Sequence, residues 1–296
     1  MFCALATYAL KKTLLRDINT YEESKLYMKY NGVKVEEMIS KITNKSIKYN
    51  IKSRHNHTIP IEYILKDNNY DNTTIILVHG HGLDKTALYP IADTISENGM
   101  NVVLFDLRLH GKNTAKFVTY GYLEKDDLED VVNFVKTKMT KENSIGILGQ
   151  SMGAATTGMY SGTEHAMKNV KFVVLDCPYT SMEDIVDVTG VREGYKLGLI
   201  RFLRRLGSIE NKILFGFYFS DVDVCKAIST SEIPTLIYCV GNDKTCPYYM
   251  ADKVFESIKH EKKEKILFDL GGHINGFYKN NDIYIESLLR FIEKYK

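Results

Sequence analysis

At 296 residues, 44% of them hydrophobic and 26% charged, the chain has an ordinary globular composition and enough length to bury one sizeable α/β core. A formal net charge of +2, with lysines scattered among acidic residues, excludes a charge-driven nucleic-acid partner. The five cysteines Cys3, Cys177, Cys225, Cys239 and Cys246 are odd in number and none are spaced C-x-x-C. That argues against a zinc or redox motif and reads as core thiols in a reducing compartment, so a cytoplasmic location is expected.

Phe2 to Leu10 is apolar and is followed by Lys11-Lys12. It is too short to span a bilayer and has no basic region before it, so it reads neither as a transmembrane helix nor as a signal peptide. The expectation is an amphipathic helix through about residue 30 with Leu14, Leu15, Ile18, Tyr21 and Leu26 on one side. A membrane contact through residues 1–15 is the alternative. Residues 1–45 form an N-terminal helical segment on this reading, and residues 46–296 a single α/β domain.

Ser46–Ser53 and Thr58–Leu65 alternate polar and apolar residues, as antiparallel strands at a sheet edge do. Thr74–Val78, Val102–Phe105, Ile145–Leu148, Phe172–Leu175, Thr235–Val240 and Lys265–Leu270 are short runs rich in Ile, Val and Leu, the pattern of a parallel sheet covered on both faces. Helical patterns lie between them at about 85–98, 124–139, 152–167, 247–260 and 281–295. This alternation predicts a mostly parallel, doubly wound sheet. Almost sixty residues separate Asp176 from Thr235, more than one crossover needs. A helical cap inserted over about residues 180–230 is expected. Leu199, Ile200, Leu203 and Leu206 would form its apolar side, packing on the body or roofing an apolar pocket.

Gly149-Gln150-Ser151-Met152-Gly153 sits where an apolar strand meets a helix rich in small residues. That context predicts a nucleophile elbow, with Ser151 thrust out on a strained turn and glycines where strand and helix pass closely. A serine hydroxyl needs a base. His273, after the last apolar strand in a glycine-containing loop, is the candidate. His79 and His110 read as structural residues at strand ends, and His55, His57, His165 and His260 as bland turn or helix-end residues. The orienting acid is Asp243, with Asp176 as the alternative; the chain order Ser…Asp…His favours Asp243. Oxyanion donors would be the backbone N–H groups of Met152 and His81, with Leu83 a weaker candidate. His79-Gly80-His81-Gly82 lacks the G-x-G-x-x-G spacing and no P-loop is present, which leaves a nucleotide reading poor.

With these residues in hand, the chain resembles the α/β-hydrolase superfamily over about residues 46–296. It is similar to bacterial serine hydrolases near the serine aminopeptidase-like (S33) and acylglycerol-lipase-like branch. The resemblance is carried by His79-Gly80-His81-Gly82, Asp106-x-Arg108-x-His110-Gly111, Tyr120-Gly121-Tyr122-x-Glu124-Lys125-Asp126-Asp127-Leu128, the Ser151 pentapeptide, Asp176-Cys177-Pro178, Gly241-x-Asp243-x-x-x-Pro247 and Gly272-His273. It implies an eight-stranded sheet, a cap after the sixth strand, a Ser151-Asp243-His273 triad, and neither cofactor nor metal. Relatives with the Tyr120–Leu128 type of segment often carry an N-terminal membrane segment. Gln150 stands where many have Glu, and Leu109 where they have a second Arg.

The function expected is hydrolysis of a carboxylic ester, an acylglycerol or other acyl substrate, through an acyl-enzyme. Thioesterase, amidase or peptidase chemistry on the same residues is the first alternative. A non-catalytic hydrolase-fold binding protein is the second.

Overall fold

The computed structural model describes residues 19–65, 73–138 and 144–296. Among them an eight-stranded sheet runs in the order β1-β2-β4-β3-β5-β6-β7-β8. Its strands are β1 (Ser46–Lys52), β2 (Thr58–Ile64), β3 (Thr73–Val78), β4 (Asn101–Phe105), β5 (Ser144–Gln150), β6 (Phe172–Asp176), β7 (Thr235–Val240) and β8 (Lys263–Phe268). β2 pairs antiparallel with both β1 and β4, while β4 to β8 pair in parallel. This is the α/β-hydrolase fold. The expected last strand begins two residues earlier than its apolar run, because Lys263 and Glu264 extend its pairing with β7.

Burial follows from residue type. Every residue of β3, β4, β6 and β7 is buried, whereas the edge strands β1 and β8 are partly exposed. Along β3, Ile76 and Val78 enter one core layer and Ile75 and Leu77 the other, as the period of two requires. The helices are α1 (Thr20–Tyr30), α2 (Val35–Lys45), α3 (Tyr89–Glu97), α4 (Glu124–Lys138), α5 (Met152–Ser161), α6 (Glu164–Asn169), α7 (Met182–Arg192), α8 (Leu197–Phe215), α9 (Val224–Ile228), α10 (Tyr248–Ser257), α11 (Gly276–Lys279) and α12 (Asn281–Tyr295). One face of the sheet is covered by α4, α5, α9 and α10, the other by α3 and α12. The helix expected over 152–167 is two, because Thr163 accepts a hydrogen bond from the Ala166 N–H and starts α6 afresh.

The N-terminal helix packs differently from its apolar pattern. Phe2 to Leu10, Leu14, Leu15 and Ile18 lie outside the described residues. In α1 the buried residues are Thr20, Ser24 and Met28, while Leu26 is 58% exposed and Tyr21 also faces solvent. The hydroxyls of Thr20 and Ser24 accept backbone hydrogen bonds from Gly111 and Asp84. A satisfied hydroxyl can be buried without penalty, and that reverses the face. No helix among the described residues is long and apolar enough to cross a membrane.

Between β6 and β7 lie α7, α8 and α9. The buried residues of α8 are Ile200, Gly207, Ser208 and Asn211; of the expected apolar side Ile200 is buried, Leu203 and Leu206 are half-buried and Leu199 is exposed. Ser208 Oγ accepts from the Phe219 N–H at 3.0 Å and Asn211 donates to the Phe217 carbonyl at 2.6 Å. These bonds turn the polar residues inward. They leave Phe202 49% and Ile213 78% exposed.

Candidate active site

The site forms where the parallel strands end. Ser151 joins β5 to α5 with φ 54° and ψ −116°, a conformation an L-residue holds only when its surroundings force it. Those surroundings are two close backbone approaches. A Cβ on Gly149 would lie 2.2 Å from the Gly153 carbonyl oxygen, and one on Gly153 would lie 2.1 Å from that of Val78. Side chains are thereby excluded on both sides of the turn. Of the non-glycine residues with positive φ among the described residues, Leu109, Ser151, Cys177 and Ile274 each lie in a loop following a parallel strand, respectively β4, β5, β6 and β8.

Ser151 Oγ lies 2.7 Å from His273 Nε2, and His273 Nδ1 lies 2.7 Å from Asp243 Oδ2. The other Asp243 oxygen accepts the backbone N–H groups of Thr245 at 2.8 Å and Cys246 at 2.9 Å. A buried carboxylate so bonded has one oxygen left for the imidazole. The structure thus brings Ser151, His273 and Asp243 into one hydrogen-bonded line. A hydroxyl so placed can hand its proton to a ring whose second nitrogen is held by a negative charge.

Asp176 stands apart from that line. Its carboxylate accepts from Gln150 Nε2 at 2.8 Å and from the Tyr284 hydroxyl at 3.0 Å. Burial pushes its pKa up. Gln150 therefore gives Asp176 a neutral donor. The Asp176 carbonyl also accepts the Ser151 N–H at 2.8 Å, so its backbone supports the serine turn.

Met152 is the first residue of α5, where a backbone N–H has no helical acceptor. His81 follows Gly80, whose position lies against Ser151: a Cβ there would come within 3.2 Å of the Ser151 Cβ. The His81 ring stacks on Tyr120 with centroids 5.3 Å apart. Leu83 lies two residues further along the same loop.

The remaining histidines divide clearly. His79 Nε2 accepts the Leu107 N–H at 2.9 Å while Nδ1 donates to the Gly80 carbonyl at 2.8 Å. Burial, with the neighbouring His110 adding to it, lowers the His79 pKa to about 3. His110 is arranged alike, accepting from Gly82 N–H at 3.0 Å and donating to the Arg108 carbonyl at 2.6 Å, and burial lowers its pKa too. Both are neutral struts. His57 corrects the sequence reading: it is buried and lies 2.9 Å from Asp127 Oδ2. Its partner is seventy positions away and no local pattern signals it. Among the described residues, the grouping of metal-ligand side chains that could hold an ion is Cys177, Asp243 and His273, with ligand atoms within 4.8 Å of one another. Two of the three are already bonded to each other.

A family model described as "Serine aminopeptidase, S33" matches residues 71–232. YqkD of Bacillus subtilis is 28% identical over 74% of this chain and 71% of its own length. YfhR of Escherichia coli K12 is 28% identical over 74% of this chain and 69% of its own. Among solved structures, the Pyrococcus furiosus esterase Pf2001 superposes with a TM-score of 0.70 at 20% identity, covering 86% of this chain and 93% of that one. The Exiguobacterium antarcticum esterase EaEST gives a TM-score of 0.61 at 18% identity, covering 83% and 100%. At such identities the structural likeness concerns the fold.

Proposed function

This chain belongs to the serine aminopeptidase (S33) family of α/β hydrolases, and from that premise we propose that it cleaves a carboxylic ester, of an acylglycerol or another acyl compound, through Ser151. His273 takes the Ser151 proton as the hydroxyl attacks the acyl carbonyl, and Asp243 orients and stabilises the resulting imidazolium. The backbone N–H groups of Met152 and His81 receive the oxyanion. Collapse of the tetrahedral intermediate expels the alcohol, protonated by His273, and leaves an acyl-Ser151. Water activated by His273 then releases the acid.

The observation that carries this reading is the 2.7 Å contact of His273 Nε2 with Ser151 Oγ, backed by the 2.7 Å contact of Nδ1 with Asp243. A carboxylic ester is preferred because the structural neighbours named above are esterases. The family's description favours a second reading, peptide or amide hydrolysis on the same residues. The protein is expected to label with a fluorophosphonate probe, and Ser151→Ala to abolish labelling and lower turnover by about a millionfold. Labelling that persists in Ser151→Ala would sink the assignment. A panel of p-nitrophenyl esters of graded length, an acyl thioester and an aminoacyl anilide separates the ester from the peptidase reading.

A further inference from the structure

We infer that helix α1 clamps three loops at the ends of the parallel strands into register, and that Tyr27 is a positioning residue for His273. The inference rests on the proposed role of His273. Thr20, Ser24 and Tyr27 stand at i, i+4 and i+7, so they share one face of the helix over about 10 Å of its axis. Each directs a hydroxyl to the backbone of a different loop. Thr20 Oγ1 accepts from the Gly111 N–H at 2.8 Å, in the loop after β4. Ser24 Oγ accepts from the Asp84 N–H at 2.8 Å, in the His81 loop after β3. Tyr27 donates to the Ile274 carbonyl at 2.9 Å, in the loop after β8.

The third bond bears most directly on chemistry. Ile274 follows His273 and is itself left-handed, with φ 55°. Its carbonyl accepts from Tyr27, so the backbone directly after His273 is tied to the helix. Burial raises the Tyr27 phenol pKa well above its usual value, which keeps the hydroxyl a donor. The helix has its own footing: Met28 is fully buried, and the Tyr27 ring packs edge-on against Tyr278 at 5.8 Å. The family match begins only at residue 71, so this support lies outside the segment that defines the family. A base displaced by a fraction of an ångström loses its aim at the serine proton while the substrate pocket is untouched. The loss should therefore appear in kcat and not in KM.

The test uses the full chain. Tyr27→Phe keeps the ring and removes the donor; Thr20→Val removes a hydroxyl that Thr20→Ser retains. Tyr27→Phe should slow fluorophosphonate labelling and ester kcat about tenfold with KM held within about twofold. Thr20→Val should slow both less, and Thr20→Ser should restore them. Wild-type labelling rates in Tyr27→Phe overturn the inference. So does a loss that vanishes when the assay is run well below the variant's melting temperature, since that marks ordinary destabilisation. If Tyr27→Phe does not fold, the Thr20→Val and Thr20→Ser pair carries the same comparison. If the wild-type protein itself fails to label, the serine-hydrolase reading falls. The clamp is then read by hydrogen exchange over Gly272–Asn275: faster exchange in Tyr27→Phe upholds it, unchanged exchange overturns it.

Discussion

Among the described residues, two buried carboxylates each hold a histidine. At the strand ends, Asp243 holds His273 at 2.7 Å. Below the Arg108 loop, Asp127 holds His57 at 2.9 Å, accepts the Ser53 hydroxyl at 2.9 Å and faces Arg108 Nη1 at 3.5 Å. The pairs differ at the far side of the ring. His273 turns its second nitrogen to Ser151, whereas His57 Nδ1 is buried with no hydrogen-bond partner among the described residues. An imidazole oriented by a carboxylate is therefore common to a proposed reaction centre and a strut. What sets them apart is a hydroxyl fixed at hydrogen-bond distance by a backbone turn.

The sharpest way to break this contrast is to neutralise each carboxylate in turn. Asp243→Asn should lower kcat by about ten-thousandfold, while Asp127→Asn should leave kcat within a few-fold and lower the melting temperature. Asp176→Asn serves as the control for the alternative acid, and turnover close to wild type is expected from it. A collapse in Asp176→Asn beside normal turnover in Asp243→Asn would transfer the role of acid to Asp176.

A smaller effect comes from the strut itself. His57→Ala leaves Asp127 short of one donor in a buried setting, so urea unfolding should show a loss of about 1–3 kcal/mol. Ester turnover measured on the folded fraction should stay near wild type. If turnover falls as it does in His273→Ala, the two pairs are not distinct.

The smallest effect concerns the histidines with no carboxylate at all. His79 is held neutral with a pKa near 3, and His110 is lowered as well, whereas both take up a proton near pH 6.5 once unfolded. The unfolded chain then binds more protons, so stability is full above about pH 6.5 and declines as the pH falls below it. Urea midpoints followed from pH 7.5 to 5 should show that decline, and His79→Asn should flatten it. A midpoint equally steep in the variant would remove His79 from the account.

The sheet was legible because its signal is local. Ile75, Ile76, Leu77 and Val78 are apolar without interruption, and only a strand covered on both faces needs that. The serine turn was legible for the same reason: Gly149 and Gly153 flank Ser151 within five residues of sequence. The features that escaped depend on partners far along the chain. His57 reads as a turn residue until Asp127 is folded against it. Thr20 and Ser24 read as a polar helix face until Gly111 and Asp84 arrive to be bonded. In α8 the inward side is set by Ser208 and Asn211 reaching the Phe219 N–H and the Phe217 carbonyl, and a hydrophobic pattern takes no account of such bonds.

The left-handed residues at the strand ends bear on how this protein could be altered. Leu109, Cys177 and Ile274 each hold a conformation that costs of order 1–3 kcal/mol for an ordinary side chain, and glycine would relieve it. A laboratory selection for heat resistance alone would thus be drawn towards glycine at these positions. It would also loosen the loops that hold the histidine and the serine in place. Selection that scores turnover together with survival should keep them as they are and place its gains elsewhere, on the outward side of α8 or at the edge strands.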